Sequence, residues 1–189
     1  MKPTRNILLL LFFLIPVCNF ASSLTPASKI SVADSSKINW MTIEEAYALS
    51  QKEPRKIFIK VYTDWCGWCK KMDKTTFTDP SIVEYINTNF YAVQLNGEDK
   101  RPITLGDKTF KLETGAKTHQ LAQALLQGKI SYPTTVYLDE EFNMLAPVAG
   151  YLEAPALNQL LHFYGENYYE TMPWDHYIKN SPEKNSSPK

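Results

Sequence analysis

The apolar residues along the chain switch several times between a helical spacing and strand-like runs. In MTIEEAYALSQ, Thr42 stands three residues before Glu45, and apolar side chains recur at Ile43, Ala46, Tyr47 and Leu49. That pattern predicts a helix opened by a capping box. Pro54 breaks it, and KIFIKVYT follows as a β-branched and aromatic run of strand length, with Lys60 inside it. CGWCKKMDKTTF has no proline and continues as a helix; Asp79 and Pro80 then supply an N-cap and an N1 proline for a second helix over 81–87. FYAVQLN is the next strand.

ITLGDKTFKL places Gly106-Asp107 between two alternating runs, the signature of a small hairpin. THQLAQALLQGK reads as a helix stopped by Gly128. YPTTVYL and MLAPVAGYL read as strands joined by the turn DEEFN, and APALNQLLHFYGENYY closes the series as a helix. Early strands are linked through helices and the last two by a short turn. The expectation is an α/β fold, a mixed central sheet with helices on both faces.

The ends differ from this body. Lys2 and Arg5 precede the apolar run ILLLLFFLIPV, which gives way to CNFASS. A charged start, an apolar stretch too short for the roughly 20 residues of a bilayer span, and small residues after it predict a secretory signal over 1–21. Cleavage is expected after Ala21 or Ser23; a buried helix or an uncleaved anchor is the plainer alternative. Val17 is bulky where a lipoprotein acceptor site takes small residues, which argues against lipidation of Cys18. Residues 22–37, rich in serine, and 179–189 read as a disordered linker and tail, leaving 38–178 as the folded domain. Net charge is zero, with 20 basic and 20 acidic residues, so no basic excess points to nucleic acid.

Removal of the signal takes Cys18 and leaves Cys66 and Cys69, in YTDWCGWCKKM. A lone C-x-x-C suits a metal site, a staple or a redox centre. As a staple it would close too small a loop to remove much chain entropy. A closed zinc site needs four ligands, and His119, His162 and His176 have no paired spacing; His119 and His162 fall within expected helices.

Three features together resemble the thioredoxin superfamily: the Cys pair in WCGWCK between a strand and a helix, the X-Pro bond Tyr132-Pro133 in SYPTTVYL, and Gly150 in VAGYLEAPALNQLL before the last helix. The likeness runs from about Trp40 to Tyr164 and is nearest to exported thioredoxin-like proteins and the thioredoxin-like domain of the DsbD electron-transfer protein. It implies a thioredoxin fold with an aromatic-rich C-terminal extension, YYETMPWDHY, which is expected to pack back as cover. It also implies a thiol–disulfide oxidoreductase whose only redox group is the Cys66–Cys69 disulfide, with no cofactor and no metal. Tyr132 and Pro133 would line a docking groove, with Trp65 and Trp68 as an apolar contact surface.

At a helix N-terminus the first sulfur of the pair faces unpaired N–H groups and the positive end of the dipole, which favours its thiolate. Cys66 is therefore expected to be the nucleophile and Cys69 the resolving thiol. The chain departs from thioredoxin at Lys60, which stands where that family carries a buried aspartate. Lys60 is a candidate proton relay, expected at least partly beneath the Cys pair. The middle dipeptide is Gly-Trp, without the histidine of strongly oxidising Dsb enzymes. The expected function is an exported, periplasmic reductant of protein disulfides, recharged by a membrane thiol reductant of DsbD type. An oxidase or isomerase, or a non-catalytic partner-binding module, is the alternative.

Overall fold

The computed structural model describes residues 36–180. The expected signal, most of the linker and nearly all of the tail lie outside these residues. Five strands form the central sheet: β1 (Trp40–Met41), β2 (Lys56–Tyr62), β3 (Phe90–Asn96), β6 (Thr134–Leu138) and β7 (Met144–Ala149), in the order β1-β3-β2-β6-β7. β1, β3 and β2 are parallel, whereas β6 and β7 are antiparallel to their neighbours. This is the mixed sheet predicted from the pattern. Two-residue β1 carries no periodicity and is an unpredicted addition.

Burial on both faces explains why KIFIKVY reads as a nearly continuous apolar run. Ile57, Ile59 and Val61 pack with Val93, Leu95 and Val136 against α1 (Ile43–Ser50) and α4 (Gln120–Leu125). On the opposite face Phe58, Ala92 and Tyr137 meet α2 (Gly67–Lys74), α3 (Pro80–Asn89) and α5 (Ala154–Gly165) through Met72, Ile82, Ile86, Leu157 and Leu161. Lys60 belongs to this second face, opposite Gln94 on β3 and Thr135 on β6.

The capping box is formed. Thr42 Oγ1 accepts the Glu45 N–H at 3.2 Å and Glu45 Oε2 accepts the Thr42 N–H at 2.7 Å. Asp79 caps α3 by accepting the Ser81 N–H at 2.9 Å. The small hairpin is β4 (Ile103–Leu105) and β5 (Lys108–Phe110), turning at Gly106 with φ +60° and anchored by buried Ile103.

Four boundaries differ from the sequence reading. The helix expected to run from Cys66 to Phe77 stops at Lys74 and is followed by a 3-10 turn, Thr76–Thr78. There the Thr75 and Thr78 hydroxyls bond the Lys71 and Lys74 carbonyls and compete with the helical ladder. The helix expected from Thr118 opens only at Gln120, because His119 is its N-cap: Nδ1 accepts the Leu121 N–H at 3.2 Å. Gly150 lies just past β7, not within it, in a left-handed bend with φ +103°. The last long helix ends at Gly165 because Asn167 turns left-handed at φ 60°.

That turn sends the chain into α6 (Tyr168–Thr171) and α7 (Trp174–Asn180), folded back on α5. Phe163 meets the Trp174 ring at 5.2 Å and the Tyr177 ring at 5.1 Å, and Tyr177 is buried. The aromatic extension therefore covers the core. α7 reaches two residues into the stretch expected to be a tail.

Candidate active site

Strand β2 delivers the chain to the edge of the sheet, where a short turn leads into α2. The Cys66 N–H donates to the Thr63 carbonyl at 3.1 Å, which places Cys66 in extended conformation as the N-cap of α2. Its Sγ accepts the Cys69 N–H at 3.1 Å. The two cysteines are joined as a disulfide with Cα atoms 5.3 Å apart. Both are buried, Cys66 at 4% exposure and Cys69 at 1%, so the bond is approached from the Cys66 side. Lys71 and Lys74 in the last turn complement the negative end of the same dipole whose positive end meets Cys66.

Lys60 is fully enclosed beneath this helix, at 2% exposure. Its ammonium does not reach solvent. It lies 2.5 Å from Asp73 Oδ1 on α2 and within 4.7 Å of the Tyr62 ring, 5.6 Å of Trp40 and 5.7 Å of Phe77. Asp73 follows Cys69 by four positions, which puts both on one face of α2. A carboxylate and three aromatic rings thus surround the ammonium. The Tyr62 phenol beside it is pushed up by burial and by the carboxylates of Asp64, Asp73 and Asp99.

Tyr132 and Pro133 are joined by a cis peptide bond at the start of β6. The Gly150 N–H donates to the Pro133 carbonyl at 2.8 Å, tying the two loops together. Trp68, Tyr132, Pro133, Gly150 and Tyr151 line one open groove of about 290 Å³ beside the disulfide. Trp65 and Trp68 are among the few large apolar side chains left in solvent, at 66% and 57% exposure. Trp65 meets Tyr132 edge-on at 6.0 Å and its Nε1–H donates to Glu98 Oε1 at 3.0 Å. Trp68 leans on Tyr151 at 5.4 Å. Burial pushes the Tyr132 phenol up.

Of the candidate site residues, Trp68, Tyr132 and Pro133 line the groove, Trp65 leans on Tyr132, Cys66 and Cys69 stand on either side of Trp68 at the head of α2, and Lys60 reaches from β2 to α2. The sequence reading missed Asp73, whose pairing with Lys60 depends on α2 lying across β2, and Tyr151, which followed the flagged Gly150. Gly97 was missed too. A Cβ there would collide with the Tyr132 ring, 2.7 Å from Cζ. Among the described residues, no three His, Cys, Asp or Glu side chains converge as a metal site.

A family model described as a thioredoxin-like domain matches residues 43–165. The chain belongs to that family. It is 25% identical over 128 residues to the thiol:disulfide interchange protein DsbD of Photorhabdus laumondii subsp. laumondii, a match covering 65% of this chain and 18% of that protein. It is 29% identical over 73 residues to spermatogenesis-associated protein 20 of Rattus norvegicus, covering 39% of this chain and 9% of the other. The chain therefore spans less than a fifth of the length of these relatives. A solved thioredoxin-fold protein from Helicobacter pylori superposes with a TM-score of 0.55 at 19% identity, over 71% of this chain and 87% of that one. That likeness shares the fold alone. A thioredoxin-like domain with its C-x-x-C pair at the head of α2 has the equipment of a thiol–disulfide oxidoreductase.

Proposed function

We propose that this protein is an exported reductant of protein disulfides, working in the periplasm and recharged by a membrane thiol reductant of DsbD type. The observation that carries the exchange chemistry is the position of Cys66 Sγ, capping α2 and accepting the Cys69 N–H. In the reduced protein the Cys66 thiolate attacks one sulfur of a substrate disulfide. A Cys66–substrate disulfide forms and the other substrate sulfur leaves as a thiolate. Cys69, deprotonated, then attacks Cys66 Sγ, which breaks the mixed disulfide, closes Cys66–Cys69 and frees the second substrate thiolate. Two electrons pass to the substrate and its two thiolates take up protons.

The other site residues act around that exchange. Tyr132, Pro133, Trp65 and Trp68 receive an extended segment of the substrate. Lys60, paired with Asp73, acts on the Cys pair through its charge, which stabilises the thiolate that Cys69 must become. The reducing direction rests on the Gly-Trp dipeptide, which lacks the histidine of strongly oxidising relatives. Export rests on the N-terminal pattern of Lys2, Arg5 and the apolar run. A donor dithiol is then required, because an oxidising compartment keeps reactive cysteine pairs oxidised.

Insulin reduction by the wild-type protein and by Cys66→Ser tests the exchange; equal rates in the two would sink it. Cys69→Ser is expected to accumulate mixed disulfides with its substrates. A measured reduction potential decides direction: a value near that of DsbA, about −120 mV, would make the protein an oxidase instead.

A further inference from the structure

The two tryptophans flanking the disulfide are held alike but stand beside opposite charges. Trp65 is fixed by Tyr132 and by the Glu98 carboxylate, at 3.0 Å from Nε1. Trp68 is fixed by Tyr151, with the Lys71 ammonium 4.8 Å from the Trp68 ring centre and 4.9 Å from that of Tyr151. No ion pair among the described residues neutralises Glu98 or Lys71. Asp64 lies on the Glu98 side, where Asn96 bonds both Asp64 and the Glu98 backbone, whereas Asp99 is neutralised by Arg101 at 2.7 Å. Lys70 and Lys74 are exposed on α2 beside Lys71.

Resting on the oxidoreductase reading, we infer that this groove selects its substrates by charge order: it takes an extended peptide segment with a basic residue toward Glu98, an acidic residue toward Lys71 and an apolar side chain between them. The reasons are complementarity and preorganisation. Each ring is clamped by two partners, so little side-chain freedom is lost when a peptide is seated. Each unpaired charge sits at the edge of an apolar surface, where an opposite charge gains more than in open water. Asp64 on one flank and Lys70 and Lys74 on the other add to the polarity, within a Debye length of about 10 Å at 0.1 M salt. A segment in the reverse order meets a like charge at both ends.

Two peptides of identical composition test this. Each has one cysteine, capped as a disulfide with 2-mercaptoethanol, and an adjacent leucine; one carries lysine before and glutamate after the cysteine, the other the reverse. Reduction by the reduced full-length protein is expected to favour one order about fivefold at low salt and less at high salt. Lys71→Glu combined with Glu98→Lys is expected to invert the preference. Lys71→Gln and Glu98→Gln, which keep polar side chains of similar size, are each expected to shrink it about twofold. Equal rates for the two wild-type peptides, or a preference unchanged by all these variants, would overturn the charge-order inference. The wild-type rate on neutral bis(2-hydroxyethyl) disulfide separates the two readings, because its absence would overturn the oxidoreductase reading itself.

Discussion

The Lys60 ammonium, buried on β2, is bound at 2.5 Å to the carboxylate of Asp73, which stands one helical turn beyond Cys69 on α2. The two charges are unequal in setting, Lys60 being 2% and Asp73 40% exposed. Removing either leaves the other to act alone on the thiols. Lys60→Met is expected to raise the Cys66 thiol pKa and slow release of the mixed disulfide. Asp73→Asn is expected to move the thiol the other way, since an uncompensated cation remains beneath the helix. Thiol alkylation rate across pH reads both. Shifts of the same sign in the two variants would indicate structural disturbance rather than charge. Asp73→Asn is also expected to cost more stability, about 3 kcal/mol, the low end for a broken buried pair because water reaches the carboxylate.

Asp79 is the N-cap of α3, and its carboxyl is held below the usual range mainly by the Ser81 hydroxyl, with the Ile82 and Ser81 N–H groups adding to this. A lowered folded-state pKa stabilises the protein above the ordinary aspartate range and loses that contribution as pH falls through it. Asp79→Ala is expected to cost about 1 kcal/mol at pH 7. The gap should narrow when both proteins are unfolded in urea near pH 3. A gap constant across pH would mean that the hydroxyl and backbone contacts matter without the charge.

Much of this site was legible before any coordinates because its parts carry local signals. Cys66 and Cys69 close a strand and open a helix, Pro133 opens a strand, and Thr42 with Glu45 spells out a cap. What escaped depends on approach in space. Gly97 is informative only because the Tyr132 ring, 35 positions later, leans on it. Lys60 announced an anomaly, but its partner could be found only once α2 was laid across β2. His119 looked helical by its neighbours; its ring instead accepts the Leu121 N–H and faces the Arg101 carbonyl at 3.2 Å. The helix boundaries at Lys74 and Gly165 were set by threonine hydroxyls and a left-handed asparagine, which periodicity does not register.

Gly97 links the end of β2 to the start of α4: its N–H donates to the Tyr62 carbonyl at 2.7 Å and its carbonyl accepts the His119 N–H at 2.8 Å. An added methyl group must therefore displace the Tyr132 ring, because the backbone is held from both sides. Gly97→Ala is expected to cost about 1–3 kcal/mol of stability by overpacking. It should also lower kcat/KM on an insulin disulfide severalfold, with a smaller effect on bis(2-hydroxyethyl) disulfide, which does not need the groove. Parallel losses on both substrates would place the damage in the fold instead.

The C-terminal aromatics distinguish cover from docking surface. Tyr177 is 3% exposed and packs on Phe163, itself 4% exposed, while Trp174 meets both rings. A side chain so enclosed offers a partner almost no surface, and its removal opens a cavity beside α5. Tyr177→Ala is expected to destabilise the protein by about 3 kcal/mol, in the range for large aromatic truncations. Tyr177 packs on the rings of Phe163, Tyr168 and Trp174, none of which lines the groove or belongs to the Cys pair. The rate of Cys66 alkylation and the reduction potential should then be unchanged at temperatures where the variant is folded. A variant with wild-type stability but impaired turnover with protein substrates would reverse the assignment and make the extension a binding element.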